Sequence, residues 1–169
     1  EGPLLVLAGA GSGKTRVLTH RIAYLVRAKG VAPGRILALT FTNKAAGEMK
    51  SRVERLLGGE TRLWIGTFHS IFARILRQHA EVLGYNRSYS IYDSDDSERL
   101  VKKILKSSPL DLGNLSPGRV QHAISRFKND LRTPEEILAS PHNLLERKLA
   151  EVYKVYAKEL KAANSMDFD

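Results

Sequence analysis

Ala8-Gly9-Ala10-Gly11-Ser12-Gly13-Lys14-Thr15 follows the apolar run Leu4-Leu5-Val6-Leu7 and leads directly into a segment of helical period. A strand, a glycine-rich turn and then Gly-Lys-Thr at a helix start form the pattern of a phosphate-binding loop. Glycines let successive backbone N–H groups converge on an anion. The helix N-terminus adds partial positive charge, the Lys14 ammonium reaches the β- and γ-phosphates of a triphosphate, and the Thr15 hydroxyl is placed to ligate Mg²⁺. Ala8 stands where G-x-x-x-x-G-K-T has its first glycine, so the loop is a variant in which Gly11 and Gly13 keep the tight turn.

Outward from the loop, Val17, Leu18, Ile22, Leu25 and Val26 recur at helical spacing from Lys14 to Lys29, and Gly30 ends that helix. After Pro33-Gly34, the short apolar run Ile36-Leu37-Ala38-Leu39 ends in Thr40-Phe41-Thr42-Asn43, with Asn43 as the expected N-cap of a second helix. Ala45, Ala46, Met49, Val53, Leu56 and Leu57 form its stripe, and Gly58-Gly59 stops it. A third strand, Leu63-Trp64-Ile65, precedes a helix capped by Thr67 that packs through Phe68, Ile71, Phe72, Ile75, Leu76 and Leu83 and ends at Gly84. Three rounds of strand then helix predict an α/β domain with a parallel sheet, its ligands at the C-terminal strand ends. The phosphate loop, Thr40–Lys44 and Gly66–Ser70 then share one rim.

Beyond the strand-like Ser88-Tyr89-Ser90-Ile91-Tyr92 the pattern turns helical. Asp93 to Asp96 supply caps for a helix holding Leu100, Val101, Ile104 and Leu105; a Gly/Ser/Pro-rich loop spans Ser107–Gly118; and Ser116-Pro117 has the order of a helix start. Val120, Ile124, Phe127 and Leu131 form the stripe of that helix. Thr133-Pro134-Glu135-Glu136 has capping-box spacing, and a long helix from about Leu144 to Ala163 carries Leu145, Leu149, Val152, Tyr153, Tyr156 and Leu160. The organisation expected is an α/β part over 1–90, an all-helical part over 91–165, and a return to the first part at 166–169.

Charge follows the same division. Residues 1–92 hold 14 Lys/Arg against five Asp/Glu, whereas residues 93–169 hold 13 of each, so the whole net charge of +9 lies in the phosphate-loop part. Such a placement points that part towards a polyanion. Absence of cysteine excludes disulfides, thiolate metal sites and a cysteine nucleophile and fits a reducing interior; a cytoplasmic location and no membrane partner are expected. No apolar stretch reaches the length of a membrane-spanning helix.

Two rim segments narrow the chemistry. Thr40-Phe41-Thr42-Asn43-Lys44 puts an aromatic, two hydroxyls, an amide and a lysine at a strand-to-helix junction, which can clamp a phosphate while the ring offers a base a stacking face. Gly66-Thr67-Phe68-His69-Ser70 repeats the design. Phe41, between polar residues, reads as exposed. Phe68, in step with Ile71 and Phe72, reads as core on its spacing, with base contact as the other reading, and His69 divides evenly between local packing and nucleic-acid contact.

On these residues the resemblance is specific. Ala8–Thr15 resembles motif I of superfamily 1A DNA helicases of the UvrD/PcrA/Rep group, Leu39–Ala46 their motif Ia, and Gly66–Ser70 their motif Ib; Ile124–Leu131 and Asn164–Asp169 resemble their inserted helical subdomain and its return to the core. The resemblance implies a RecA-like phosphate-loop domain with an all-helical insertion, in an enzyme coupling ATP hydrolysis to 3′-to-5′ movement on single-stranded DNA and to unwinding at a duplex junction. It implies that Ala8, Gly9, Ala10, Gly11, Ser12, Gly13, Lys14, Thr15 and Arg16 bind ATP, with Lys14 and Thr15 catalytic and Thr15 on Mg²⁺. Phe41, Thr42, Asn43, Lys44, Thr67, Phe68 and His69 are implied to contact DNA. Arg126, Lys128 and Arg132 either approach duplex DNA or lie on a solvated face. The adenine-reading Gln segment, the acidic Asp-Glu segment and the second RecA-like domain of such enzymes are not in this sequence, so the expectation is a fragment that cradles phosphate without hydrolysing ATP. The alternatives are the motor part of a RecB/AddA-like helicase–nuclease and a non-hydrolysing helicase-like binding module.

Overall fold

A computed structural model describes residues 2–9, 11–107 and 115–169. The chain divides into two compact units, Glu1–Leu76 and Arg77–Asp169, each mixing helices with a two-stranded parallel sheet. Ala10 and most of the Ser107–Gly118 loop lie outside the described residues.

In the first unit, helix α1 (Lys14–Arg27) is followed by a 3₁₀ turn at Pro33–Arg35, strand β1 (Leu37–Thr40), helix α2 (Asn43–Leu57), strand β2 (Trp64–Thr67) and helix α3 (Phe68–His79), which runs across the division. Strands β1 and β2 pair in register from Leu37 opposite Trp64 to Thr40 opposite Thr67. Ile22 of α1, Met49 and Val53 of α2, and Ile36 and Ala38 at β1 form the core, flanked by Leu25, Val26, Leu57 and Ile65. Helix α2 stops at Gly58, whose φ of 83° is the left-handed C-cap that glycine adopts without a Cβ penalty.

The expected strand at Leu4–Leu7 does not form. The segment has no regular structure, and Leu5 and Leu7 are more than 80% exposed. An apolar run becomes a parallel strand only when neighbours accept its backbone ladder, and among the described residues β1 and β2 pair only with each other. Val17 and Leu18, expected in the buried stripe of α1, are consequently exposed as well.

In the second unit, a 3₁₀ turn at Ala80–Leu83 ends on left-handed Gly84, and strand β3 (Ser90–Ile91) precedes helices α4 (Ser94–Ser107), α5 (Pro117–Asn129), α6 (Pro134–Ala139) and α7 (Leu144–Ala162). Strand β4 (Ser165–Met166) then returns to pair in parallel with β3. The helix starts follow their local chemistry. Asp93 accepts from the Asp96 N–H at 2.8 Å, Ser116 caps the Pro117 start, and Thr133 with Glu136 completes a capping box. Val101, Ile104, Val120, Ile124, Phe127, Ile137 and the inner face of α7 from Leu149 to Leu160 form one core. No described helix is long and apolar enough to cross a membrane.

Candidate nucleotide and nucleic-acid site

The loop before α1 has the backbone that an anion cradle requires. Gly11 and Gly13 have φ values of 74° and 88°, a left-handed conformation that costs a side-chain-bearing residue free energy. Gly13 is also the N-cap of α1 and, having no side chain, makes no capping bond. The first-turn N–H groups of a helix have no intrahelical acceptor, so this helix start presents donors and the positive end of its dipole. Ser12 turns back on the loop, donating its hydroxyl to the Gly9 carbonyl at 2.5 Å.

The Lys14 ammonium donates to the carbonyls of Ala8 at 2.9 Å and Gly9 at 2.6 Å. The ammonium is thereby folded back onto the loop, at an exposed position. Thr15 and Arg16 are exposed on the same first turn. Gly11, Ser12, Gly13, Arg16, Val17 and His20 line a recess of about 630 Å³ beside it. Further along, Thr19 is buried and donates to the Arg16 carbonyl one turn back in the same helix at 2.9 Å.

The rim is built by the strand register. Because Thr40 lies opposite Thr67, the residues that follow them, Phe41 and Phe68, emerge side by side with ring centroids 6.0 Å apart. Phe72, one turn along α3, continues the row 6.4 Å from Phe68. Phe41 is 92% exposed, as its polar neighbours predict. Phe68 and Phe72 are 44% and 49% exposed, so the spacing that reads as core is overturned: of that stripe, Ile71 takes the buried position. Phe72 was identifiable only as a packing residue, although its i, i+4 relation to Phe68 is the signal that places it in the row.

Both helix starts behind the rings are capped by threonine. Thr42, not Asn43, is the N-cap of α2: its hydroxyl accepts from the Ala45 N–H at 3.2 Å, and Asn43 is the first helical residue. The reason is backbone conformation, since Thr42 is extended at φ −125° and ψ 148° as an N-cap must be. Thr67 accepts from the Ser70 N–H at 3.3 Å, while the Ser70 hydroxyl donates to the Thr67 carbonyl at 3.0 Å. Asn43, Lys44 and His69 are exposed at these starts. Gly66 fixes how closely α3 leaves the sheet, because a Cβ there would stand 2.6 Å from Ser70 Oγ and 3.0 Å from Ile71 Cδ1. Nothing in its sequence context gave Gly66 that role. Arg74 lies over the Trp64 ring at 4.4 Å and fastens α3 to β2.

Two of the three cations singled out in the helical region are engaged internally. Lys128 donates to Asp167 at 2.6 Å with 17% and 7% of their side chains exposed, and the Tyr156 hydroxyl donates to the same carboxylate at 2.9 Å. Burial, with Asp167 beside it, pushes the Tyr156 phenol pKa well above its ordinary value. Arg132 pairs with Glu146 at 2.8 Å, and the His142 N–H donates to that carboxylate. Those backbone and guanidinium bonds hold the Glu146 carboxyl below the ordinary range. Arg126 alone of the three is exposed. A charged residue at the end of a helix reads as solvated until a partner distant in sequence is known.

The comparisons with known proteins agree over the whole chain. The UvrD/REP helicase N-terminal domain matches residues 1–169. ATP-dependent DNA helicase PcrA of Bacillus subtilis is 51% identical over 170 residues, covering 100% of this chain and 23% of that protein. The PcrA helicase of Staphylococcus epidermidis is 49% identical with the same coverage, and ATP-dependent DNA helicase UvrD1 of Mycobacterium tuberculosis is 51% identical over 172 residues, covering 99% of this chain and 22% of its own length. The chain thus spans less than a quarter of the length of these curated relatives. It belongs to the UvrD/REP helicase N-terminal domain family.

Proposed function

We propose that residues 1–169 are the first motor domain of an ATP-dependent DNA helicase that moves 3′-to-5′ on single-stranded DNA and opens a duplex junction. In this reading residues 1–90 are the RecA-like part, 91–165 the inserted helical subdomain, and 166–169 the return. A second RecA-like domain completes the nucleotide cleft. The observation that carries the reading is the loop before α1: two left-handed glycines, a helix start without a side-chain cap, and a lysine folded back onto the loop.

ATP binds with its phosphates on the N–H groups from Gly11 to Arg16. Lys14 exchanges the carbonyls of Ala8 and Gly9 for the β- and γ-phosphates, a stronger charge-assisted contact. The groups present suit Mg²⁺ brought in by the triphosphate: Thr15 offers one hydroxyl, and no group of three or more described His, Asp or Glu side chains forms a cage of its own. When bound, the ion neutralises charge developing between the phosphates. On the DNA side, a base stacks on Phe41 beside Phe68, Thr42, Asn43 and Lys44 hold the backbone at the start of α2, and Thr67 and His69 do so at the start of α3. Lys14→Ala tests the reading. It should abolish ATP binding and hydrolysis in the intact protein while single-stranded DNA still binds; undiminished hydrolysis refutes the loop assignment.

A further inference from the structure

Asn43, Lys44, Gly47, Ser51, Arg52 and Arg55 recur at intervals of one, three and four and share one exposed face of α2. With Glu48 they line a recess of about 570 Å³. Gly47 stands in the helix interior, where glycine is unfavourable, yet a Cβ there would meet nothing within 4 Å. Its missing side chain therefore serves no packing inside this chain and instead leaves backbone open at the middle of the recess. The single carboxylate lining the recess, Glu48, is held by Arg52 at 3.3 Å with both side chains about half exposed. A phosphate can displace such a surface pair at little cost. Lys44 and Arg55 enter no salt bridge among the described residues.

We propose that this face is a phosphate track that carries the DNA strand onward from the rim, gripping its backbone without reading its bases. The inference rests on the reading of Thr42–Lys44 as a DNA contact and extends it along the helix. From Lys44 to Arg55 the track runs about 16 Å along the axis, long enough for several successive phosphates. Gly47 and Ser51 form a low floor against which the strand lies, and Lys44, Arg52 and Arg55 flank it. Charge complementarity and continuity with the rim both favour a nucleic-acid strand over an apolar partner.

The test is binding of a thymidine homopolymer by the intact protein across a salt series. Arg52→Ala/Arg55→Ala should flatten the slope of log K against log salt by roughly 1.4, at about 0.7 per lost phosphate contact on a single strand. The charge-retaining Arg52→Lys/Arg55→Lys pair should keep the slope. Gly47→Leu raises helix propensity yet fills the recess, and should weaken binding without lowering thermal stability. An unchanged slope in the folded alanine pair overturns the track. Unchanged affinity in Gly47→Leu overturns it too, and makes a protein helix the better occupant of the recess. Phe41→Ala, measured alongside, separates the two readings: intact affinity there with a flattened arginine slope removes base stacking and keeps the track, and the reverse result removes the track alone.

Discussion

Replacing Gly66 with alanine tests how α3 and its start, which carries Phe68 and His69, are positioned. The added Cβ would stand 2.6 Å from Ser70 Oγ and 3.0 Å from both Cγ1 and Cδ1 of Ile71. Ser70 can rotate away only by giving up its 3.0 Å bond to the Thr67 carbonyl, a loss of about 1 kcal/mol. Ile71 is 4% exposed, so overpacking against it adds about 1–3 kcal/mol. The expected cost is about 2–4 kcal/mol. In a unit of this size each kcal/mol lowers Tm by about 4–8 °C, so thermal unfolding followed by circular dichroism should show a drop of at least about 8 °C. Ser70→Ala in the same background removes the closer clash and should recover part of it. Because relief of the clash moves Thr67 and Phe68 away from Phe41, single-stranded DNA affinity should fall as well. A Gly66→Ala protein that melts within about 2 °C of the parent and binds DNA equally well refutes the close approach as the device that sets the rim.

Phe41→Ala should weaken single-stranded DNA binding by about 1–3 kcal/mol with thermal stability unchanged, since a ring 92% exposed contributes little to packing; lowered stability with intact affinity would make Phe41 a packing residue instead. Lys128→Met leaves the Asp167 carboxylate buried and short of its cation, and should cost about 3–5 kcal/mol in denaturant unfolding. Lys128→Met/Asp167→Leu should regain most of that loss, and failure to regain any would show that the pair is not the source. Glu136 and Glu146 both have pKa values lowered from 4.5, the first by the Thr133 N–H and hydroxyl, the second by the His142 N–H and Arg132. The unfolded carboxylates therefore take up protons first, so stability is full above pH 4.5 and declines as pH falls from there through the lowered folded values. Arg132→Ala raises the folded Glu146 value towards 4.5, so in an acid titration of stability the decline should still begin at the same pH but level off at a higher pH with a smaller total loss; an undiminished loss contradicts the assigned cause.

Where structure is decided within a few residues, the sequence was readable. The capping box at Thr133–Glu136, the Ser116-Pro117 start, the Thr67 cap and the left-handed stop at Gly58 all follow from groups three or four positions apart, whereas α3 ends at His79 and the expected stop at Gly84 closes a separate 3₁₀ turn. The left-handed glycines of the loop before α1 were equally legible; the docking of Lys14 on Ala8 and Gly9 carbonyls was not, because it depends on the loop's path. Misreadings arose where the outcome depends on distant chain. Leu4–Leu7 has the composition of a buried strand, but composition does not provide a ladder partner. Phe68 has core spacing, yet which side of α3 faces the sheet is fixed by the contact at Gly66, and that turns Ile71 inward and the ring outward. Asn43 and Thr42 are both good caps, and only the extended backbone at Thr42 decides between them. Lys128 and Arg132 looked solvated because Asp167 and Glu146 lie 39 and 14 positions further on.

Strands β3 and β4 are two residues each, yet their pairing has a consequence for the history of the chain. Ser90 and Ser165 are direct partners, joined by the Ser90 N–H to the Asn164 carbonyl at 3.1 Å and the Tyr92 N–H to the Met166 carbonyl at 2.7 Å. Adjacent strands lie about 4.8 Å apart, so the path between these partners begins and ends at almost one point in space. Asn164, left-handed at φ 47°, makes the last turn of the return, and its side chain accepts from the Asn86 N–H at 2.7 Å. An excursion with such closely spaced ends can grow, shrink or be exchanged for another without altering the spacing of the chain on either side. Evolution can therefore remodel the helices between β3 and β4 as a cassette, while the segments that enter and leave them keep their alignment.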